Sequence, residues 1–298
     1  NMKYLMASYG YNVVFMNDVD YTSNEELYPT MHTILNQLRI ILNKAKTGDE
    51  VFIYYAGHGV QLLKNTLKLD FEKDSVDEAI IPVDFTFGGD TGFTNIIVDD
   101  TLNQYIRTFG KSNVKILLIF DCCHSGTVCD LKYSYNYTSN NSSGGISYDV
   151  TPDTPIDKTN PIRSSVITIS ACQDNEVSTE DVIRFNSSEN EQNQGILTAS
   201  LRYVLQSNPN ITYDVFNVLK AITTYTIKYN QHPKISSNLP LHLNSSYRSI
   251  LNSTSERPVS NTIVKFNQQK RDNQLNHLDT NTVNVPLQSQ SQLQPQLQ

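Results

Sequence analysis

What this sequence has little of narrows its reading first. Only 38% of its 298 residues are hydrophobic, enough for one sizeable core but lean for a chain ordered along its whole length. One domain plus polar, unstructured segments is the expectation. Positive charge is also scarce: 23 Lys and Arg stand against 30 Asp and Glu, a formal charge of -7. Such a chain has no global basic field to attract nucleic acid or an anionic membrane, and metal ions and basic peptides suit it better as partners.

Cysteine is sparse as well. The four thiols, Cys122, Cys123, Cys129 and Cys172, are too few and too clustered for the disulfide framework of a small secreted domain. No apolar run near the start has the pattern of a secretory leader, and none reaches the ~18 residues of a membrane span. A reducing, cytoplasmic home is expected, with the nucleus also open. Asn-x-Ser/Thr triplets such as Asn136-Tyr137-Thr138 and Asn210-Ile211-Thr212 arise by chance in a chain rich in Asn and Ser. There is no internal repeat.

What is present alternates between two periods. Tyr11 to Phe15 forms a short strand pattern. Thr30 then precedes Met31, Ile34, Leu35, Leu38, Leu42 and Ala45 at helical spacing, up to Gly48, which predicts a capped amphipathic helix. Val51 to Tyr55 and Val114 to Phe120 are short continuous apolar runs, with a helix pattern from near Asp99 between them, and Ser165 to Ile169 is a third such run. Two helix patterns follow, through Ile196, Leu197, Leu201 and Val204, and through Val215, Val218, Leu219 and Ile222. Strands alternating with helices predict an α/β fold with a mainly parallel sheet covered on both faces, its chemistry at the carboxyl ends of the strands. Two segments break the pattern: the Ser-, Asn- and Gly-rich stretch within 132–163, expected as a long loop, and the Gln- and Ser-rich tail 253–298, expected to be mostly disordered.

Both candidate chemical motifs fall at such strand ends. Ala56-Gly57-His58-Gly59 follows Val51 to Tyr55, and Asp121-Cys122-Cys123-His124-Ser125-Gly126 follows Val114 to Phe120. A thiol and a histidine from distant sequence positions, delivered to one rim, form the arrangement of a thiol nucleophile, because imidazolium lowers the thiol pKa and the thiolate attacks. Adjacent residues of an extended segment point to opposite faces, so periodicity alone leaves open which of Cys122 and Cys123 acts. His124 diverges from Cys123 for the same reason and is read as a structural or positioning residue. Asp121, two positions from Cys123, shares its face if the strand stays extended; capping of nearby backbone groups is the other reading. Asp77, Asp99, Asp100 and Asp130 are hard oxygen donors suited to Ca²⁺ rather than zinc, though spacing alone marks them as surface acids or, for Asp99 and Asp100, helix-start residues.

In these two motifs, and in Asp77-Glu78-Ala79-Ile80-Ile81-Pro82-Val83-Asp84, Asp130-Leu131 and Ser170-Ala171-Cys172-Gln173-Asp174, the sequence resembles the type I metacaspases over about residues 1 to 240. The Gln-Ala-Cys signature of true caspases is absent. The resemblance implies a caspase-like three-layer sandwich over residues 1–252, divided into a large-subunit-like region 1–131, the loop 132–163 and a small-subunit-like region 164–252. It implies a calcium-dependent cysteine endopeptidase with Cys123 as nucleophile, His58 as base, and the backbone N–H groups of Gly59 and Cys123 as oxyanion donors. By the same resemblance Asp121 binds Arg or Lys before the cut, Asp77, Asp99, Asp100 and Asp130 bind Ca²⁺, and Lys132, Lys158 or Arg163 is a site of self-cleavage in a zymogen. A monomer acting on protein or peptide substrates, in a process such as cell death, is the matching expectation.

The sequence departs from that family at several points. Ala56 stands where the family often has serine, and Ile196-Leu197-Thr198-Ala199-Ser200 where it tends to have aromatic and small residues. Asn1-Met2-Lys3-Tyr4-Leu5 resembles the middle of the family's first helix, so the opening strand is expected upstream of this sequence and an interior sheet position is expected to be empty. A rival reading follows: a catalytically impaired homologue acting by protein binding, as a scaffold or in handling aggregates. A redox or metal-thiolate protein built on Cys122 and Cys123 lacks the second cysteine pair that zinc-ligand spacing requires.

Overall fold

The computed structural model describes residues 2–19, 25–63, 76–88, 92–125, 129–138, 144–153, 155–173, 178, 180–183, 192–207, 215–241 and 262–267. Helix α1 (Met2–Ser8) leads into strand β1 (Asn12–Asn17), then α2 (Met31–Lys44) and β2 (Glu50–Ala56). Five short strands follow, β3 (Gly59–Leu63), β4 (Val76–Ile80), β5 (Thr86–Phe87), β6 (Phe93–Thr94) and β7 (Ile97–Val98), before α3 (Asp99–Phe109) and β8 (Lys115–Asp121). Next come β9 (Tyr133–Thr138), β10 (Gly145–Val150), α4 (Pro155–Thr159), β11 (Ser165–Ser170), β12 (Glu180–Ile183) and β13 (Gln192–Gly195). Helices α5 (Ile196–Ser207) and α6 (Val215–Thr226) and strands β14 (Lys234–Ser237) and β15 (Thr262–Asn267) complete the order.

The local causes are those the pattern predicted. Thr30 caps α2, its Oγ1 accepting the Thr33 N–H at 3.2 Å, which satisfies one of the free donors of the first turn. The apolar runs became β2, β8 and β11, and their continuity has a physical reason. In β2, Phe52 and Tyr54 face a core built with Met2 and Met6 of α1, Leu197 and Leu201 of α5 and Leu219 of α6. Val51, Ile53 and Tyr55 of the same strand face a second core with Ile34 and Leu38 of α2 and Leu102 and Ile106 of α3. A strand apolar on both faces is one covered on both faces. The result is the α/β sandwich expected, with helices above and below the sheet.

The central sheet runs β1-β15-β2-β8-β11-β14-β9-β10. The five strands from β1 to β11 are mutually parallel, and β14, β9 and β10 continue the sheet antiparallel. A small separate sheet, β3-β4-β7, packs its own cluster of Val60, Leu62, Ala79, Ile81, Phe85 and Phe93.

Two expectations are corrected. Residues 132–163 are not one long loop: β9 and β10 form an antiparallel hairpin, Gly145 opposite Thr138 and Val150 opposite Tyr133, and α4 follows. The cause is a period-2 alternation of Tyr133, Tyr135 and Tyr137 with polar residues, by which Tyr135 is buried against Phe216 with ring centroids 5.3 Å apart. The second is the empty sheet position. Thr262–Asn267 lies as β15 inside the sheet, between β1 and β2, so the interior position next to β2 that the sequence led us to expect empty is filled from the other end of the chain. The rest of 253–298 lies outside the described residues.

Candidate active site

Strands β2 and β8 are neighbours in register, Tyr55 opposite Phe120 and Ala56 opposite Asp121, so the segments Gly57-His58 and Cys122-Cys123 leave the sheet side by side at its carboxyl edge. The Gly57 N–H reaches the Asp121 carbonyl at 3.4 Å. The backbone of His58 is held from two directions: its carbonyl accepts from Tyr55 Oη at 2.7 Å and from the Ile81 N–H at 3.1 Å. The flanking glycines serve close approach, not a left-handed turn. A Cβ at Gly59 would collide with the Cys123 carbonyl oxygen, and one at Gly57 would lie 2.6 Å from Tyr55 Oη; only glycine admits either contact.

The two adjacent cysteines differ in setting. Cys122 is buried in the core beside α2 and α3, and burial, with Cys172, Cys123 and Asp121 nearby, pushes its thiol well above the usual range. Cys123 is half-buried. Its Sγ accepts the Ser178 N–H at 3.3 Å and lies 3.7 Å from the Ser178 carbonyl oxygen. The strand ends at Asp121, and the chain turns at His124, which is buried with φ 50°, a left-handed conformation that His tolerates better than most residues. Ser125 secures the turn by donating to the Cys122 carbonyl at 3.0 Å and accepting from the Ala171 N–H at 3.3 Å.

Asp121 does not share an extended face with Cys123, because that strand has ended. Its buried carboxylate turns to α5 instead: Oδ2 accepts the Thr198 N–H at 2.8 Å and the Thr198 hydroxyl, while Oδ1 accepts from Ser178 Oγ at 3.3 Å. A Cβ at Gly195 would collide with Oδ2. Asp121 therefore caps the first turn of α5, a distant element and not backbone local to its own strand, and burial raises its pKa while these hydrogen bonds pull it back. Tyr54 Oη joins the network through Thr198. Ser178 touches both the sulfur and the carboxylate. Sequence reasoning missed Tyr54, Ser178 and Thr198 in these roles, since Tyr54 is hidden in an apolar run and nothing marks Ser178.

The four predicted metal ligands lie around the start of α3. Asp99, 1% exposed, accepts the Glu78 N–H at 3.1 Å and the Asp100 N–H at 2.8 Å. Burial pushes its carboxyl up to about 8, backbone hydrogen bonds oppose this, and the charges of Glu78 and Asp77 add to it. Asn103 Nδ2 donates to the Cys129 carbonyl at 2.7 Å, bringing Asp130, left-handed at φ 45°, to the same region. Burial, then Asp130 and Asp99, raise the Cys129 thiol. These oxygens suit a hard divalent ion, but among the described residues no three His, Cys, Asp or Glu side chains are grouped tightly enough to hold a metal as they stand.

The processing candidates differ in backbone setting. Lys132 precedes β9 and is ion-paired with Asp153. Lys158 is exposed within α4. Arg163 is exposed in the irregular segment before β11, where it donates to the Thr108 carbonyl at 3.3 Å.

Fold and site together define a caspase-like α/β domain that sets a histidine and a cysteine at neighbouring strand ends. The crystal structure of a Geobacter sulfurreducens protein, 20% identical, superposes with a TM-score of 0.51 over 87% of this chain and 86% of that one. Residues 1–132 match the family model described as metacaspase, peptidase C14 domain. Metacaspase-1 of Schizosaccharomyces pombe is 27% identical over 80% of this chain and 61% of its own length. Metacaspase-1 of Kluyveromyces lactis is 28% identical over 81% and 60%, and Metacaspase-3 of Trypanosoma brucei brucei 27% over 78% and 62%. The chain is similar to metacaspases along most of its length, and it spans about three fifths of the length of these relatives.

Proposed function

We propose that this chain is a cysteine endopeptidase in which Cys123 attacks a peptide carbonyl and His58 takes and returns the proton. The observation that carries this is the register of β2 and β8, which sets Gly57-His58 beside Cys122-Cys123 with the Gly59 backbone against Cys123. Exposure favours Cys123 over Cys122, because a nucleophile must be reached by substrate and the buried thiol is held protonated. In the reaction, His58 removes the thiol proton, sulfur bonds to the carbonyl carbon, and the backbone N–H groups of Gly59 and Cys123 face the oxyanion. His58 then protonates the departing amine, and water releases the acyl group.

Preference for Arg or Lys before the cut belongs to this reading, with Asp121 as an acid linked to Cys123 through Ser178. Calcium belongs to it as well. Asp77, Asp99, Asp100 and Asp130 would hold the ion, which supplies positive charge beside Asp99, whose burial disfavours ionisation, and binding has to draw those donors closer than they stand. For self-cleavage Arg163 is the best placed of the three basic residues, since a protease binds extended exposed backbone. The impaired-homologue reading loses its motive, because β15 fills the interior position.

The test is cleavage of paired fluorogenic peptides ending in Arg, Lys or Asp, with and without Ca²⁺, by the chain and by Cys123→Ala. Cleavage after Arg or Lys that disappears in the variant is expected. Cleavage after Asp would overturn the pocket assignment, and no cleavage by folded protein would overturn the function.

A further inference from the structure

We propose that Thr262–Asn267 is a docking strand that the sheet draws from its own C-terminal segment, and that its seat between β1 and β2 holds β2, and so the His58 segment, in place. Three observations converge on it. The strand is parallel to both neighbours and pairs along its whole length, Thr262 opposite Asn12 and Val51 and Asn267 opposite Asn17 and Ala56. Its composition fits: Thr262-Ile263-Val264-Lys265-Phe266 is an island of β-branched and aromatic residues in a tail otherwise rich in Ser, Asn and Gln, and such residues favour a pleated, covered position. Third, β15 enters the sheet from residues beyond β14, whereas its two neighbours come from the first 56 residues.

Without β15, β1 and β2 would each present a row of open backbone donors and acceptors. Strand β2 would keep only β8 as a partner. Its last residue, Ala56, is aligned with Asn267 on one side and Asp121 on the other, and His58 follows two residues later. Recognition in this seat is through the main chain, so the ligand class is a parallel β-strand, and the occupant is this chain's own segment. A free peptide of the same sequence competes for the seat. The inference concerns the strand and stands whether or not the chain is a peptidase.

Hydrogen exchange on the full chain reads it directly. Amides of residues 263–267 are expected to exchange at least ~100-fold more slowly than in the free peptide; free-peptide rates would overturn the proposal. In the full chain carrying Val264→Pro and Phe266→Pro, amides of β1 and β2 are expected to exchange about 10-fold faster or more, while β11 and β14 keep their protection. A synthetic peptide spanning residues 260–269 should restore β1 and β2. Unchanged protection in the variant sinks the docking role, and protection of 263–267 confined to a dimer would reassign the strand to a second copy. Loss of peptidase activity together with loosened β2 supports the effect on His58; full activity despite loosened β2 rejects that effect.

Discussion

Strands β2 and β8 and strands β9 and β10 belong to one sheet, yet they owe their places to different forces. The first pair is apolar apart from its charged end residues and buried between helices on both faces. The second is polar and partly exposed, with Tyr148 at 64% and Val150 at 49%, and it joins the sheet through ladder pairing and a few tyrosines. The contrast teaches that the proposed chemistry is mounted where the backbone is most fully determined: His58 and Cys123 follow the ends of the central strands, and among the described residues the hairpin edge carries no candidate catalytic group.

The largest expected effect tests the central pair. Cys123→Ala should lower peptidase activity by roughly 10³-fold or more while changing unfolding free energy by about 1 kcal/mol or less. Cys122→Ala should do the reverse, keeping activity and costing about 1–2 kcal/mol through its buried position. Peptide kinetics and urea melts on both variants check this, and exchanged outcomes would reverse the assignment of the nucleophile.

Next in size is the core itself. Leu118→Ala, at a side chain 1% exposed in β8, should destabilise by roughly 2–5 kcal/mol, transfer and cavity costs combined. Asp121→Asn keeps the shape but turns an amide toward the Thr198 or Ser178 donors, so a loss of about 1–3 kcal/mol is expected in denaturant melts. A higher KM for Arg peptides in that variant, beyond the loss of stability, would sharpen its substrate role.

A smaller effect depends on pH. Glu50, at the start of β2 opposite Lys115, is pushed by burial from 4.5 to about 7, with the Tyr11 hydrogen bond and Lys115 working against the shift. Because the folded value lies above the unfolded one, protonated Glu50 favours the fold fully below pH 4.5, and that contribution is lost as pH rises through about 7. Glu50→Gln should therefore gain thermal stability over the parent at pH 8 and show little difference at pH 4. The smallest effect belongs to the edge: Tyr148→Ser in β10 should shift stability by about 0.5 kcal/mol, and a loss as large as that of Leu118→Ala would erase the contrast between centre and edge.

Much of this was legible in the residues. The helix from Met31, the strands from Val51 and Val114 and the two late helices announce themselves because burial on one or both faces imposes a period on the sequence. The glycines around His58 were legible as special, although their reason, contact with Cys123 and Tyr55, is a tertiary one. The hairpin was less so, since its tyrosines alternate within a run of Ser and Asn whose composition suggests a loop. Ser178 and Thr198 carried no signal, because a hydroxyl's partner is set by which loop or helix end arrives beside it.

By itself the sequence determined an α/β chain with a histidine and a cysteine at the ends of two buried strands, since periodicity and glycine placement are local consequences of burial and close approach. Only the tertiary structure decided that Cys122 is enclosed and Cys123 half-buried, that Asp121 caps α5, and that a strand from the polar tail lies between β1 and β2. Those outcomes depend on which distant segments meet: the apolar island at Thr262–Phe266 marks a candidate strand, but backbone pairing is open to almost any residue and so composition does not say where that strand docks.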